Sequence, residues 1–208
     1  MSDKRRRQIT IGITGASGAA YATRTIAALL EKGVDLELVF SDFGRRLLKD
    51  ELGTTASIDR LGAYLQDRYG DGVKNAEFVV HSNRDLGATI ASGSHRSTGM
   101  VVVPCSMKSL AGIAHGLSRN LVERAADVML KEKRPLIIVP RETPMSLPQL
   151  KNMVLAAEAG AMIMPAMPAF YQMPKTLDDL ADFMAGKILA ALGIEHKLYP
   201  EWKPNEEN

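Results

Sequence analysis

The chain has 208 residues and a formal net charge of +2, from 26 Lys and Arg against 24 Asp and Glu. At 46% hydrophobic and 24% charged it has enough apolar surface to offset chain entropy, which excludes disorder as its main state. No apolar run reaches the roughly 20 residues of a spanning helix, and the lone Cys105 leaves no intrachain disulfide, so a single domain over 1–208 in the reducing cytoplasm is expected.

Met1–Arg7 is a basic leader without the apolar core of a secretory signal. Its contiguous Arg5, Arg6 and Arg7 read as a solvated segment, since the balanced charge of the whole argues against nucleic acid as a partner. Gln8–Thr14 is a β-branched strand followed by a glycine-rich turn. Ala19–Lys32 is strongly helix-forming, with Gly33 placed to stop it. A strand over Val34–Phe40 and helices over Asp42–Leu52 and Ser57–Tyr69 follow, the last carrying Ile58, Leu61, Leu65 and Tyr69 at helical spacing.

Ala76–Ser82 is a strand, and a polar loop spans Ala91–Ser97. Met100–Val103 (MVVV) and Leu136–Val139 (LIIV) are wholly apolar strands that Pro104 and Pro140 are expected to end. Helices fall at Asn120–Lys133 and Ser146–Gly160, a last strand at Ala161–Met164, and a closing helix at Thr176–Leu192 capped by Thr176. Residues 195–208 form a polar tail. Apolar strands alternating with helices make a doubly wound, mainly parallel sheet with helices on both faces, an α/β fold of three layers. Ligands of such sheets bind outside the carboxyl ends of the strands.

The loops at those ends carry the chemistry. Glycines at 12, 15 and 18 have neither the dinucleotide-binding spacing nor the phosphate-loop spacing. The turn reads either as an anion site, where backbone N–H groups and Ser17 meet a helix N-terminus, or as a tight βα turn. Ser106-Met107-Lys108-Ser109 repeats the pattern with hydroxyls and a cation. Cys105 reads more readily as a small buried hydrophobe than as a nucleophile, because no histidine sits in a partnering segment. Arg141 follows a buried strand and lies between Pro140 and Pro144. Arg offers a planar fork for phosphate, Lys a point charge and Tyr a neutral donor, a set met again in Arg124, Lys131, Tyr171 and Lys187. The four histidines lack metal-ligand spacing, so no metal is expected.

Six segments in order resemble the UbiX-type flavin prenyltransferase family: Gly12–Ala19, Ala91–Ser94, Pro104–Leu110, Glu123–Lys131, Pro140–Pro144 and Pro168–Tyr171. The resemblance covers about Ile9 to Trp202. It implies a Rossmann-like homo-oligomer, a dodecamer with sites between subunits. The implied reaction is a metal-free transfer of a dimethylallyl group from dimethylallyl monophosphate to N5 and C6 of reduced FMN, giving prenylated FMN for a UbiD-type decarboxylase. It further implies FMN contacts at Gly15, Ala16, Ser17, Ser41, Ser106, Met107, Lys108, Ser109 and Arg141. Tyr171 and Lys187 match the substrate-phosphate positions, with Lys131 and Arg124 nearby. Ser17, Glu51 and Glu142 match residues that handle protons, and Trp202 matches an aromatic covering the site. Two departures stand out: Lys187 where Arg is common, and His95-Arg96 where a less charged pair is common. The alternatives are an FMN-binding carrier, which needs the Gly15 and Ser106 loops alone, and an FMN-dependent decarboxylase. A cysteine-peptide decarboxylase needs an early histidine, and none precedes His81.

Overall fold

A strand covered on both faces must be apolar or hydrogen-bonded along its whole length, and Gln8–Ile13 (β1) meets that condition. Ile9, Ile11 and Ile13 face one core, while Thr10 on the opposite face bonds the buried Ser97 hydroxyl at 3.1 Å. The structure, a computed structural model, describes residues 6–53 and 56–200. After β1 come helix α1 (Ala19–Glu31), β2 (Asp35–Phe40), α2 (Asp42–Leu52), α3 (Leu61–Tyr69), β3 (Phe78–Ser82), β4 (Met100–Cys105), α4 (Met107–Ala114), α5 (Leu121–Lys131), β5 (Leu136–Pro140), α6 (Leu147–Glu158), β6 (Met162–Ile163) and α7 (Leu177–Ala191). Short 3-10 turns sit at Ile58–Arg60, Asp71–Asn75 and Thr89–Ala91.

The six strands form one sheet in the order β3-β2-β1-β4-β5-β6, and every pairing is parallel. The expected doubly wound sheet is therefore present. One apolar core lies under α1 and α7 and the other under α4 and α5. Buried Glu37 on β2 is held by the Gln8 side-chain amide at 2.6 Å and by His81, which satisfies a charge that would otherwise be costly there. Among the described residues no helix is long and apolar enough to cross a membrane.

Helix boundaries follow local chemistry. Gly33 (φ +72°) lies just past α1, and the side chains of Ser41, Asn120 and Thr176 accept N–H bonds from Gly44, Glu123 and Asp179 in the first turns of α2, α5 and α7. The Asp179 carboxylate accepts the N–H groups of Lys175 and Thr176, which holds it below its usual carboxylate range.

Four expectations are corrected. Pro104 does not end its strand. β4 runs through Pro104 to Cys105 because its pairing with β5 shifts register between Val102 and Cys105, where the missing N–H is tolerated, and β5 closes on Pro140 itself. The helix expected over Ser57–Tyr69 opens as a 3-10 turn before α3, and the last strand shrinks to two residues. The end of the leader is partly held: the exposed Arg6 pairs with Asp35 at 3.5 Å, the Arg7 guanidinium donates to the Leu192 carbonyl beyond α7 and to Thr98, and Arg5 lies outside the described residues.

The first turn of α2 lies hard against the end of β1. A Cβ added at Gly44 would stand 2.4 Å from the Ile13 carbonyl oxygen, so only glycine fits without moving backbone. Gly44→Ala is expected to destabilise the fold by roughly 1–3 kcal/mol, as overpacking does. A lowered urea midpoint at unchanged slope is the expected reading, and an unchanged midpoint would show that α2 shifts freely.

Candidate active site

The order of the sheet reverses between β1 and β4, which leaves a crevice at their carboxyl ends, the usual ligand position in this architecture. The buried Thr14, first residue after β1, ties both rims of that crevice together. Its hydroxyl donates to the Pro104 carbonyl at 3.0 Å and accepts the Ser106 N–H at 2.7 Å, while its own N–H reaches the Pro104 carbonyl at 3.1 Å. Ser41 N–H bonds the Ile13 carbonyl at 2.9 Å, bringing the loop after β2 alongside. Arg141 N–H reaches the Cys105 carbonyl at 3.3 Å, and its guanidinium donates to the Ser17 carbonyl at 3.1 Å.

The fold thus gathers the segments Gly15-Ala16-Ser17, Ser41, Ser106–Ser109 and Arg141 on one edge. Ser17 and Lys108 are exposed, Ser41, Ser106, Ser109 and Arg141 half-buried, and Ala16 and Met107 buried. The Ser106 hydroxyl accepts the Ser109 N–H at 3.3 Å and lies 3.1 Å from the Ser109 hydroxyl, fixing the first turn of α4. Hydroxyls, one guanidinium and one ammonium around a close-approaching backbone suit a ligand with a phosphate and a flat body. Among the described residues no group of three His, Cys, Asp or Glu side chains could hold a metal ion.

The α1 N-terminus differs from expectation. Its Gly18 and Ala19 N–H groups are bonded by the Glu51 carboxylate, at 3.0 and 2.7 Å to the same oxygen. The chain supplies its own anion to this positive helix end, so a ligand phosphate would have to compete with Glu51 there. Glu142 lies one residue past Arg141, half-buried, its carboxylate accepting the Thr143 N–H at 3.1 Å.

The other expected residues lie elsewhere. The exposed Tyr171 meets Phe183 of α7 edge-on with ring centroids 6.3 Å apart, and Phe183 in turn meets Tyr199 at 5.1 Å. Lys187 is exposed on α7, one turn beyond Phe183. Burial, Lys32 and Lys187 together hold the nearby His196 below its usual value. Tyr171 and Lys187 therefore border one aromatic cluster. Arg124 and Lys131 belong to a different place, because α5 runs away from the crevice. Arg124 bonds the Ala91 carbonyl at 3.1 Å and Asp127 at 2.8 Å, and Lys131 bonds Glu132 beside Gly93. Among the described residues no hydrogen bond or ion pair joins these four to the Arg141 edge. Trp202 lies outside the described residues.

Three site residues escape sequence reasoning. Thr14 reads as one more strand former, and nothing local reveals its clamp. Tyr21 lies against Gly18, its phenol pushed up by burial and partly drawn back by Arg141. Phe43 sits over Gly15, where an added Cβ would fall 2.5 Å from its own Cβ; its place next to Ser41 was the available signal. Cys105 is the expected buried thiol, pushed up to about 12 by burial.

The Flavoprotein family profile matches residues 1–189. A relative named Flavin prenyltransferase UbiX from Halalkalibacterium halodurans is 47% identical over 199 residues, covering 96% of this chain and 95% of its own. The solved structure of a UbiX protein in complex with FMN and dimethylallyl pyrophosphate superposes with a TM-score of 0.86 at 38% identity, covering 97% of this chain and all of that one. A dodecameric FMN-dependent UbiX-like decarboxylase from Escherichia coli O157:H7 superposes at 0.84 with 39% identity, covering 95% and 100%.

Two measurements test the crevice. Thr14→Val keeps the shape but leaves the Ser106 N–H without its acceptor and removes one of the two donors to the Pro104 carbonyl, so a stability loss of about 1–3 kcal/mol in urea unfolding is expected. Thiol labelling of the native protein at pH 8 should be negligible and should become complete on unfolding; fast native labelling would contradict the burial of Cys105.

Proposed function

The chain belongs to the Flavoprotein family, and we infer that it is a flavin prenyltransferase of the UbiX type, joining a dimethylallyl group from dimethylallyl monophosphate to reduced FMN. The observation that carries this reading is near-full-length identity to UbiX proteins together with the Gly15, Ser41, Ser106 and Arg141 loops converging on the β1–β4 crevice. When bound, reduced FMN would supply N5, whose bond to the allylic carbon replaces that carbon's bond to phosphate, and C6, whose bond to the far alkene carbon would close a fourth ring as the alkene gains a proton and C6 loses one.

The chain's own part is binding, charge and protection. Gly15, Ala16, Ser17, Ser41, Ser106, Met107, Lys108, Ser109 and Arg141 would hold the flavin. Tyr171 and Lys187 would hold the phosphate of the allyl donor, with Arg124 and Lys131 adding positive charge. Departure of phosphate builds negative charge on oxygen, and fixed cations stabilise it without a metal. Ser17, Glu51 and Glu142 would move protons at the flavin and the leaving phosphate. Exclusion of water protects allyl-cation character.

Because the phosphate residues lie apart from the flavin edge within one chain, the complete site would draw on neighbouring subunits. A homo-oligomer such as the dodecamer of the Escherichia coli relative is the assembly this reading calls for. The product would serve a UbiD-type decarboxylase, and the enzyme would work in the cytoplasm. One solved relative is named a decarboxylase, so the deciding experiment follows the flavin itself. Anaerobic incubation with FMN, reductant and dimethylallyl monophosphate should raise the flavin mass by one dimethylallyl unit. Unmodified flavin would leave a carrier or decarboxylase, and a parallel reaction with dimethylallyl pyrophosphate tests which donor is used.

Lys187→Ala should raise the requirement for the allyl donor on the order of tenfold to a hundredfold while leaving FMN affinity nearly intact, the usual worth of a bond to a charged group. Lys187→Arg should be tolerated, since the fork geometry suits phosphate. Activity should survive chelators. Loss of FMN binding in Lys187→Ala with unchanged donor dependence would move the residue to the flavin site.

A further inference from the structure

Phe43 is two-thirds exposed (67%) in a protein with few aromatic residues. It sits in the first turn of α2, between the Ser41 cap and Gly44, whose backbone lies against the Ile13 carbonyl. Its Cβ rests over Gly15, at the very place a side chain on that residue would occupy. Burial of α2 falls instead on Gly44 and Leu48, so the Phe43 ring is not part of the core of its own helix. A rigidly mounted aromatic ring is thus presented to solvent beside the two loops, Gly15–Ser17 and Ser41, that face the crevice.

We propose that Phe43 is a flavin-binding residue whose ring packs against the isoalloxazine of FMN. The proposal rests on the flavin reading given above and adds a contact to it. Aromatic rings pack favourably on flat π-systems by offset or edge-on contact, and the gain is larger when the ring is already fixed, because little freedom is lost on binding.

The test uses the full chain and three variants, Phe43→Ala, Phe43→Leu and Phe43→Trp, with FMN binding followed by quenching of flavin emission. Phe43→Ala should weaken FMN binding by roughly tenfold, in line with the loss of one aromatic contact, and leave the bound flavin brighter. Phe43→Leu should fall between, and Phe43→Trp should retain affinity and quench at least as strongly. Urea midpoints should be unchanged, since the ring is exposed. FMN affinity and emission in Phe43→Ala equal to those of the parent would overturn the proposal. So would a smaller assembly in light scattering with unaltered FMN affinity, which would make Phe43 a subunit contact. If the parent protein binds FMN and the variants behave as expected but no prenylated flavin forms, the functional reading fails and the Phe43 contact stands. If the parent binds no FMN, both fall.

Discussion

The hydroxyl of Thr14 is the smallest group on which the arrangement of the crevice depends. β1 and β4 are neighbours in space although α1, β2, α2, α3 and β3 intervene in the chain. At their ends one backbone bond, from the Thr14 N–H to the Pro104 carbonyl, closes the ladder, and the Thr14 side chain extends it by donating to Pro104 and accepting from Ser106. Pro104 itself has no N–H to offer there. A threonine supplies donor and acceptor from one atom, and so sets the Gly15 and Ser106 loops at a fixed separation. Arg141 then adds the β5 loop to the same edge by bonding Ser17 across 124 residues of sequence.

Electrostatics at this edge is more divided than a glycine-rich turn suggests. Among the helices that begin there, α1 and α4 have positive ends that are treated differently. Glu51 fills the first from outside the helix, with a carboxylate that is itself exposed. Ser106, a neutral hydroxyl, caps the second, with Lys108 in the same turn. An anionic ligand group therefore meets less competition beside α4 than beside α1.

The sheet was legible because strands such as MVVV and LIIV are apolar throughout and alternate with helices, a pattern only a doubly covered parallel sheet satisfies. The start of the closing helix was legible from Thr176, whose cap is local chemistry. Pro104 misled because a rule about ladder bonds was applied without knowledge of the register shift that suspends it. Glu51 shows the same limit: the resemblance marked it as functional, but its bonds to Gly18 and Ala19 span α1, β2 and most of α2. Arg124 and Lys131 were grouped with the phosphate residues by resemblance alone. The direction of α5, which carries Lys131 to the far end beside Gly93, is a tertiary fact that spacing does not encode.

The division between the two sets of residues has a chemical logic. Tyr171, Phe183 and Tyr199 are stacked along the outside of α7, with Lys187 one turn on, while the Arg141 edge belongs to the centre of the sheet. A cation as exposed as Lys187 is well solvated and worth little to the isolated fold. Placed at an interface and stripped of water, the same ammonium attracts a phosphate far more strongly. On the proposed reading, assembly is what converts a surface lysine and tyrosine into a phosphate site. The low-dielectric environment in which leaving-group charge is best stabilised would then exist only in the oligomer, so that subunit contact and catalytic competence are one property rather than two.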